Sequence, residues 1–181
     1  MRNPLLVLAA LVGLYWGVHR FTPQPVPAVS FRDTMGVAHG FGRPCKPALV
    51  VFWISGCPFC DRALNILDQV RLRYPKESLD IVGIYVNHGT NEAVEAEARA
   101  KGHLFDVAAS RPDDDNTLIN RLDEEGFKFG APGRAIFVID ATGMYRTVDT
   151  ADLNVPNGST EGEVLSALGS VLAPGKARTG I

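Results

Sequence analysis

Two cysteines, Cys57 and Cys60, close the stretch VVFWISGCPFC with only Pro58 and Phe59 between them. A pair so spaced can do three things: hold a metal, form a structural disulfide, or cycle between dithiol and disulfide. A bond between them closes a very small loop, so it removes little unfolded-state entropy and adds little stability. A zinc site needs two further ligands. Cys45 is the one other cysteine, and His39, His88 and His103 stand at no ligand spacing, so no metal is expected. Two thiolates also suit soft Cu(I), but no histidine or methionine motif lies beside them. The reactive dithiol fits the pattern best, with the metal and inert pairs left as alternatives.

The neighbouring residues set what this dithiol would experience. ALVVFWI, 48–54, is a continuous β-branched and aromatic run, the pattern of a strand buried on both faces. From Pro58 to Tyr74, Ala63, Leu64, Leu67, Val70 and Tyr74 recur at helical spacing, and Pro75 stops the run. Cys57 therefore stands where a strand gives way to a helix, among unpaired N–H groups at the positive end of the helix dipole. That place favours thiolate and predicts a pKa below the ordinary thiol value of about 8.5. Pro58 suits the first helical turn, which needs no N–H there. Cys60 lies one turn behind, nearer the core.

Further along, LDIVGIYVN reads as a second buried strand and NEAVEAEARAKG as a helix closed by Gly102. HLFDVAA is a short extended piece, and RPDDDNTLINRL a loop feeding a short helix. RAIFVID and YRTVD form a hairpin around ATGM. STEGEVLSALGSVL is a final helix with Thr160 and Glu163 in capping-box positions. After a candidate short strand near Val29 to Arg32, the order is β-α-β-α-β-β-α. Helical crossovers imply parallel pairing and the closing hairpin an antiparallel edge, hence an α/β fold with a mixed central sheet flanked by helices.

At 181 residues the chain has room for one ordinary domain and appendages. Such a domain needs no disulfide staples. A formal net charge of −2 without a long basic block gives no support for nucleic-acid binding. The N-terminus, MRNPLLVLAALVGLYWGVHRF, has an uncharged run from Asn3 to Val18 between Arg2 and His19-Arg20. It is shorter than the roughly 20 residues that span a bilayer comfortably, but flanking arginines can snorkel and Tyr15 and Trp16 suit the interface. The expected organisation is a signal-anchor over 1–20, entering the membrane through 4–18, a proline-rich linker over 21–30, a domain over 31–174 and a tail over 175–181. The domain would then lie outside the cytoplasm, on the periplasmic side in a bacterium. Secretion after signal cleavage is the alternative.

KPALVVFWISGCPFC resembles the strand-to-active-site segment of thioredoxin-like proteins, closest to the membrane-anchored TlpA/ResA-like thiol-disulfide oxidoreductases. FVIDATGM is similar to that family's later strand and turn. The likeness covers roughly residues 30–172. It implies that Cys57 exchanges with a partner's sulfur and that Cys60 resolves the mixed disulfide, leaving a Cys57–Cys60 disulfide. It implies no cofactor. Partners would be extracytoplasmic protein thiols or disulfides and a membrane or periplasmic redox donor or acceptor. Phe59 and Pro58 would offer a contact lip.

Thioredoxin-like folds also place a cis-proline beside the dithiol, where an extended partner segment adds as a strand. Here Gly130-Ala131-Pro132 supplies it, making Ala131 and Pro132 candidate partner-binding residues, but Phe137 comes two residues late. Counting back from Asp140 puts Arg134 in the proline's place instead. The expectation adopted is Pro132 with a two-residue extension or bulge. Other departures are Val51 and Ala63 where relatives keep an acid, and Gly56 where tryptophan is frequent. Cys45 reads as a bystander, and Asp113–Asp115 and Asp123–Glu125 as solvated segments. Two functions follow: a disulfide-exchanging enzyme, or a thioredoxin-like binding module of a membrane-associated assembly with little redox turnover.

Overall fold

A computed structural model of the chain describes residues 24–42, 46–87, 90–110, 122, 124, 131–150, 152 and 156–172. The strands are β1 (Gln24–Pro25), β2 (Ser30–Arg32), β3 (Ala38–Gly40), β4 (Ala48–Trp53), β5 (Asp80–Tyr85), β6 (Asp106–Ala109), β7 (Ala135–Ile139) and β8 (Met144–Asp149). The helices are α1 (Pro58–Arg73), α2 (Asn91–Ala100) and α3 (Asn157–Leu172). Residues 1–23, Cys45, His88, Gly130 and both acidic runs apart from Glu124 lie outside the described residues, so the expected anchor does too. Among the described residues no helix is long and apolar enough to cross a membrane.

A six-stranded sheet runs β1-β8-β7-β4-β5-β6. β4, β5 and β6 are parallel, joined through α1 and α2, whereas β7, β8 and β1 add antiparallel beyond β4. The expected mixed sheet is therefore present, and the short extended piece before Ser110 is its edge strand β6. β4 is buried along its whole length because both faces of the sheet are covered. Leu49, Val51 and Trp53 face a core built with Leu64 and Leu67 of α1, Val94 of α2 and Leu168 of α3. Ala48, Val50 and Phe52 face a second core with Phe31, Phe41, Phe137 and Leu122. This is the strict alternation of a strand, with apolar residues needed on both sides.

The hairpin β2–β3 covers that second face. Asp33 closes its turn by accepting the Met35 and Val37 N–H groups on Oδ1, while Oδ2 lies 3.1 Å from His39 Nε2. His39 stacks on Phe31, and Thr34 N–H donates to the Val107 carbonyl, tying the hairpin to β6. The Asp106 carboxylate approaches this pair, the three residues' ligand atoms lying within 4.8 Å of one another, but it is ion-paired to Lys76.

Two local expectations differ from the structure. Residues 24–30, expected as spacer, are packed on the domain: Gln24–Pro25 pair with β8, and Val26 and Val29 are buried. An edge strand tolerates prolines because its outer N–H is not needed in a ladder. Helix α3 begins at Asn157 behind Pro156, four residues earlier than the capping pattern implies. Thr160 thus lies inside the first turn, where its buried hydroxyl accepts from Arg62 Nη2 at 2.9 Å. A buried guanidinium competes for that oxygen and wins it from the helix end.

Candidate active site

β4 ends at Trp53, a three-residue turn follows, and Cys57 caps α1. Gly56 takes φ +70 in this turn, a conformation a tryptophan would adopt only with strain. Cys57 has extended dihedrals, and its sulfur accepts the Cys60 N–H at 3.2 Å, satisfying one of the helix's orphan donors. Pro58 occupies the first helical turn as expected, Asp61 adds a negative charge there, and Arg71 and Arg73 lie in the last turn. The site thus sits beyond the carboxyl end of a central strand whose neighbours lead off in opposite directions, the usual place for chemistry in an open α/β sheet.

The two sulfurs lie at disulfide-bonding distance, with Cα atoms 5.2 Å apart. Cys57 is partly exposed and Cys60 is 0 % exposed. Pro58 is exposed and Phe59 half-buried at the lip. Opposite them runs Ala131-Pro132-Gly133, with the Pro132 carbonyl oxygen 3.9 Å from Cys57 Sγ. The ladder explains how this segment arrives. Leu49 pairs with Val138 and Val50 with Phe137, so a regular register would set Ala135 opposite Phe52. Instead the Phe52 carbonyl accepts the Gly133 N–H at 2.7 Å. Two residues are extruded on the β4 side, while pairing to β8 continues regularly through Ala135 and Arg134. This bulge absorbs the late Phe137, re-aims the chain at the dithiol and leaves Arg134 exposed.

Behind the dithiol the surroundings are apolar. Val51 and Ala63 are fully buried, so neither position offers a proton acceptor. On the α2 side stands a polar network that sequence patterns did not reveal. Ser55 donates to Glu97 at 2.6 Å and lies 3.0 Å from the Tyr85 hydroxyl. Lys101 donates to Asp61 at 2.9 Å and sits 5.9 Å above the Trp53 ring. Partial burial acts to lower the Lys101 pKa, but bonding to Asp61 and then Glu97 outweighs it, so the ammonium is held above its ordinary value. Gly133 and Thr150 were also missed. The only local signal was a glycine following the candidate proline.

No protein-family model matches the chain, and no curated protein matches it. Solved structures do. A thiol:disulfide interchange protein of the thioredoxin family from Chlorobium tepidum is 24% identical, with a TM-score of 0.56 over 81% of this chain and 97% of that one. A secreted Mycobacterium tuberculosis disulfide oxidoreductase homologous to E. coli DsbE is 18% identical, with a TM-score of 0.54 over 77% and 96%. The thioredoxin domain of a Bacteroides vulgatus thiol-disulfide oxidoreductase is 19% identical, with a TM-score of 0.55 over 78% and 96%. At these identities the likeness speaks to the fold, and the fold is thioredoxin-like.

Proposed function

We propose, from a thioredoxin-like fold with a Cys-Pro-Phe-Cys pair at its α1 N-terminus, that the chain is a thiol-disulfide oxidoreductase acting on partner proteins. The observation that carries this reading is the pairing of Cys57 and Cys60 at disulfide distance where a strand meets a helix, with a backbone segment running alongside. In the reducing direction the Cys57 thiolate attacks a partner disulfide, and one partner sulfur leaves as thiolate. The Cys60 thiolate then attacks the Cys57 sulfur, which releases the second partner thiolate. Two electrons pass to the partner and the Cys57–Cys60 disulfide remains; the reverse sequence oxidises a partner dithiol. Ala131 and Pro132 would receive the partner's extended backbone, and Pro58 and Phe59 its side chains.

We further infer an extracytoplasmic setting, with residues 4–18 as the membrane anchor and a membrane or periplasmic redox donor or acceptor. The apolar N-terminus and the likeness to a secreted Mycobacterium tuberculosis disulfide oxidoreductase support it. The test is direct. Cys57→Ser should abolish turnover of a disulfide substrate, and Cys60→Ser should accumulate a mixed disulfide with the partner. A reversible Cys57–Cys60 couple above about −300 mV would place the pair in the exchange-competent range. The second reading, a binding module, is favoured by Val51 and Ala63, which put apolar side chains behind the dithiol where a buried acid could take the Cys60 proton. It requires that the double variant Cys57→Ser/Cys60→Ser keep all function, and loss of function would exclude it.

A further inference from the structure

We infer that Gly133 and Thr150 form a clamp that seals Cys60 and so decides which of the two sulfurs meets a partner; this rests on the dithiol reading above. A Cβ built on Gly133 would overlap the Cys60 backbone nitrogen and come within 2.6 Å of its Cα and 2.7 Å of its Sγ. The Gly133 backbone is therefore laid directly on the first turn of α1, at the cysteine that is fully buried. This closeness is maintained from both sides. The Gly133 N–H donates to the Phe52 carbonyl of β4 at 2.7 Å. The Gly133 carbonyl accepts the Thr150 hydroxyl, and the Thr150 N–H donates to the Arg134 carbonyl at 2.9 Å. Thr150 is itself 1 % exposed.

The clamp lies where the β4–β7 ladder is broken by the bulge, so these bonds replace the regular ladder in holding the segment. Without the Thr150 hydroxyl, a buried carbonyl loses its donor and the segment is free to lift from Cys60. Thr150 touches neither sulfur in this scheme; it is a positioning residue acting through Gly133. The shield is supplied by backbone rather than by a bulky side chain, which leaves Cys57 open on the Gly56 side.

The test is iodoacetamide labelling of the reduced full-length chain across pH, mapped by peptide mass spectrometry for Cys57 and Cys60, with Cys45 as an internal reference. Wild type should label Cys57 at least about tenfold faster than Cys60. Thr150→Val should narrow that ratio by about fivefold or more, and Thr150→Ser, which keeps the hydroxyl, should restore it. A valine variant with a lower melting temperature but an unchanged ratio would reduce Thr150 to a structural residue and overturn the inference. Equal labelling in wild type would overturn it as well. Hydrogen exchange of the Gly133 amide needs no variant: protection is expected, and exchange at the rate of an open loop refutes the clamp. The labelling ratio is readable even from a protein without turnover, so failure of the clamp and failure of the enzymatic reading are separate results.

Discussion

Replacing Gly133 with alanine is the sharpest perturbation the structure offers, and Gly36 provides its control. Both glycines have positive φ, +69 and +84, so alanine at either position meets the left-handed penalty of about 1–2 kcal/mol. Around Gly36 an added Cβ meets nothing within 4 Å. Around Gly133 it meets the backbone nitrogen and Cα of Cys60 as well as its sulfur, and backbone atoms in a helical first turn cannot swing aside. Overpacking of this kind costs about 1–3 kcal/mol beyond the backbone penalty. Gly36→Ala should therefore destabilise the chain by about 1–2 kcal/mol and Gly133→Ala by about 2–5 kcal/mol. Urea denaturation of the two variants beside wild type, under oxidising conditions, measures both values with a common slope. If Gly133→Ala costs no more than Gly36→Ala, the close approach of Gly133 to Cys60 is wrong, and the bulge register that produces it falls too.

Asp140 and Arg62 offer two further checks. The Asp140 carboxylate accepts from the Thr142 N–H, the Thr142 hydroxyl and the Met144 N–H at 2.8, 2.6 and 3.0 Å. Partial burial would raise its pKa, but these bonds and the Arg146 charge prevail and hold it below the ordinary value. A lowered folded-state pKa contributes stability above the unfolded value of about 3.9 and loses it as pH falls through the folded one. Asp140→Asn should thus cost about 1 kcal/mol at pH 7, discounted for exposure, and stability-versus-pH curves for variant and wild type should converge below about pH 4. A constant gap across pH would count against the charged turn. Arg62 donates from Nη1 to the Asp152 carbonyl at 2.6 Å and from Nη2 to Thr160, joining α1 to α3. Lysine cannot reproduce this fork, so Arg62→Lys should lower stability by about 1–3 kcal/mol, and a thermal melt matching wild type would contradict it.

Much of the candidate site was legible along the chain because its chemistry is local. The apolar run, the following Cys57, Pro58 at the helix start and the 3.6-residue stripe to Val70 each act within a few residues. Propensity, capping and dipole therefore sufficed to place a thiol at a helix N-terminus. The mixed sheet was readable for a related reason: helices between strands and a tight final hairpin leave few ways to connect them. Proline content marks residues 24–30 as a spacer, whereas only the folded sheet supplies the surface on which Val26 and Val29 pack. Thr160 carries a good capping side chain, but Arg62, 98 residues away, takes its oxygen.

Tertiary structure alone decided how the Ala131–Gly133 segment meets the dithiol. A two-residue slip keeps every side chain on its own face, so hydrophobic pattern could not choose between Pro132 and Arg134. The backbone bond from Gly133 to Phe52 makes that choice. The surroundings of the pair were equally hidden: Thr150 lies 17 residues from Gly133, and Lys101 lies 40 from Asp61. Contacts at such separations have no periodicity or motif: the first exists because the sheet brings the ends of β4, β7 and β8 together, the second because the fold sets the end of α2 beside the first turn of α1. The sequence by itself determined which sulfur caps the helix and which lies nearer the core; packing determined what covers the second one.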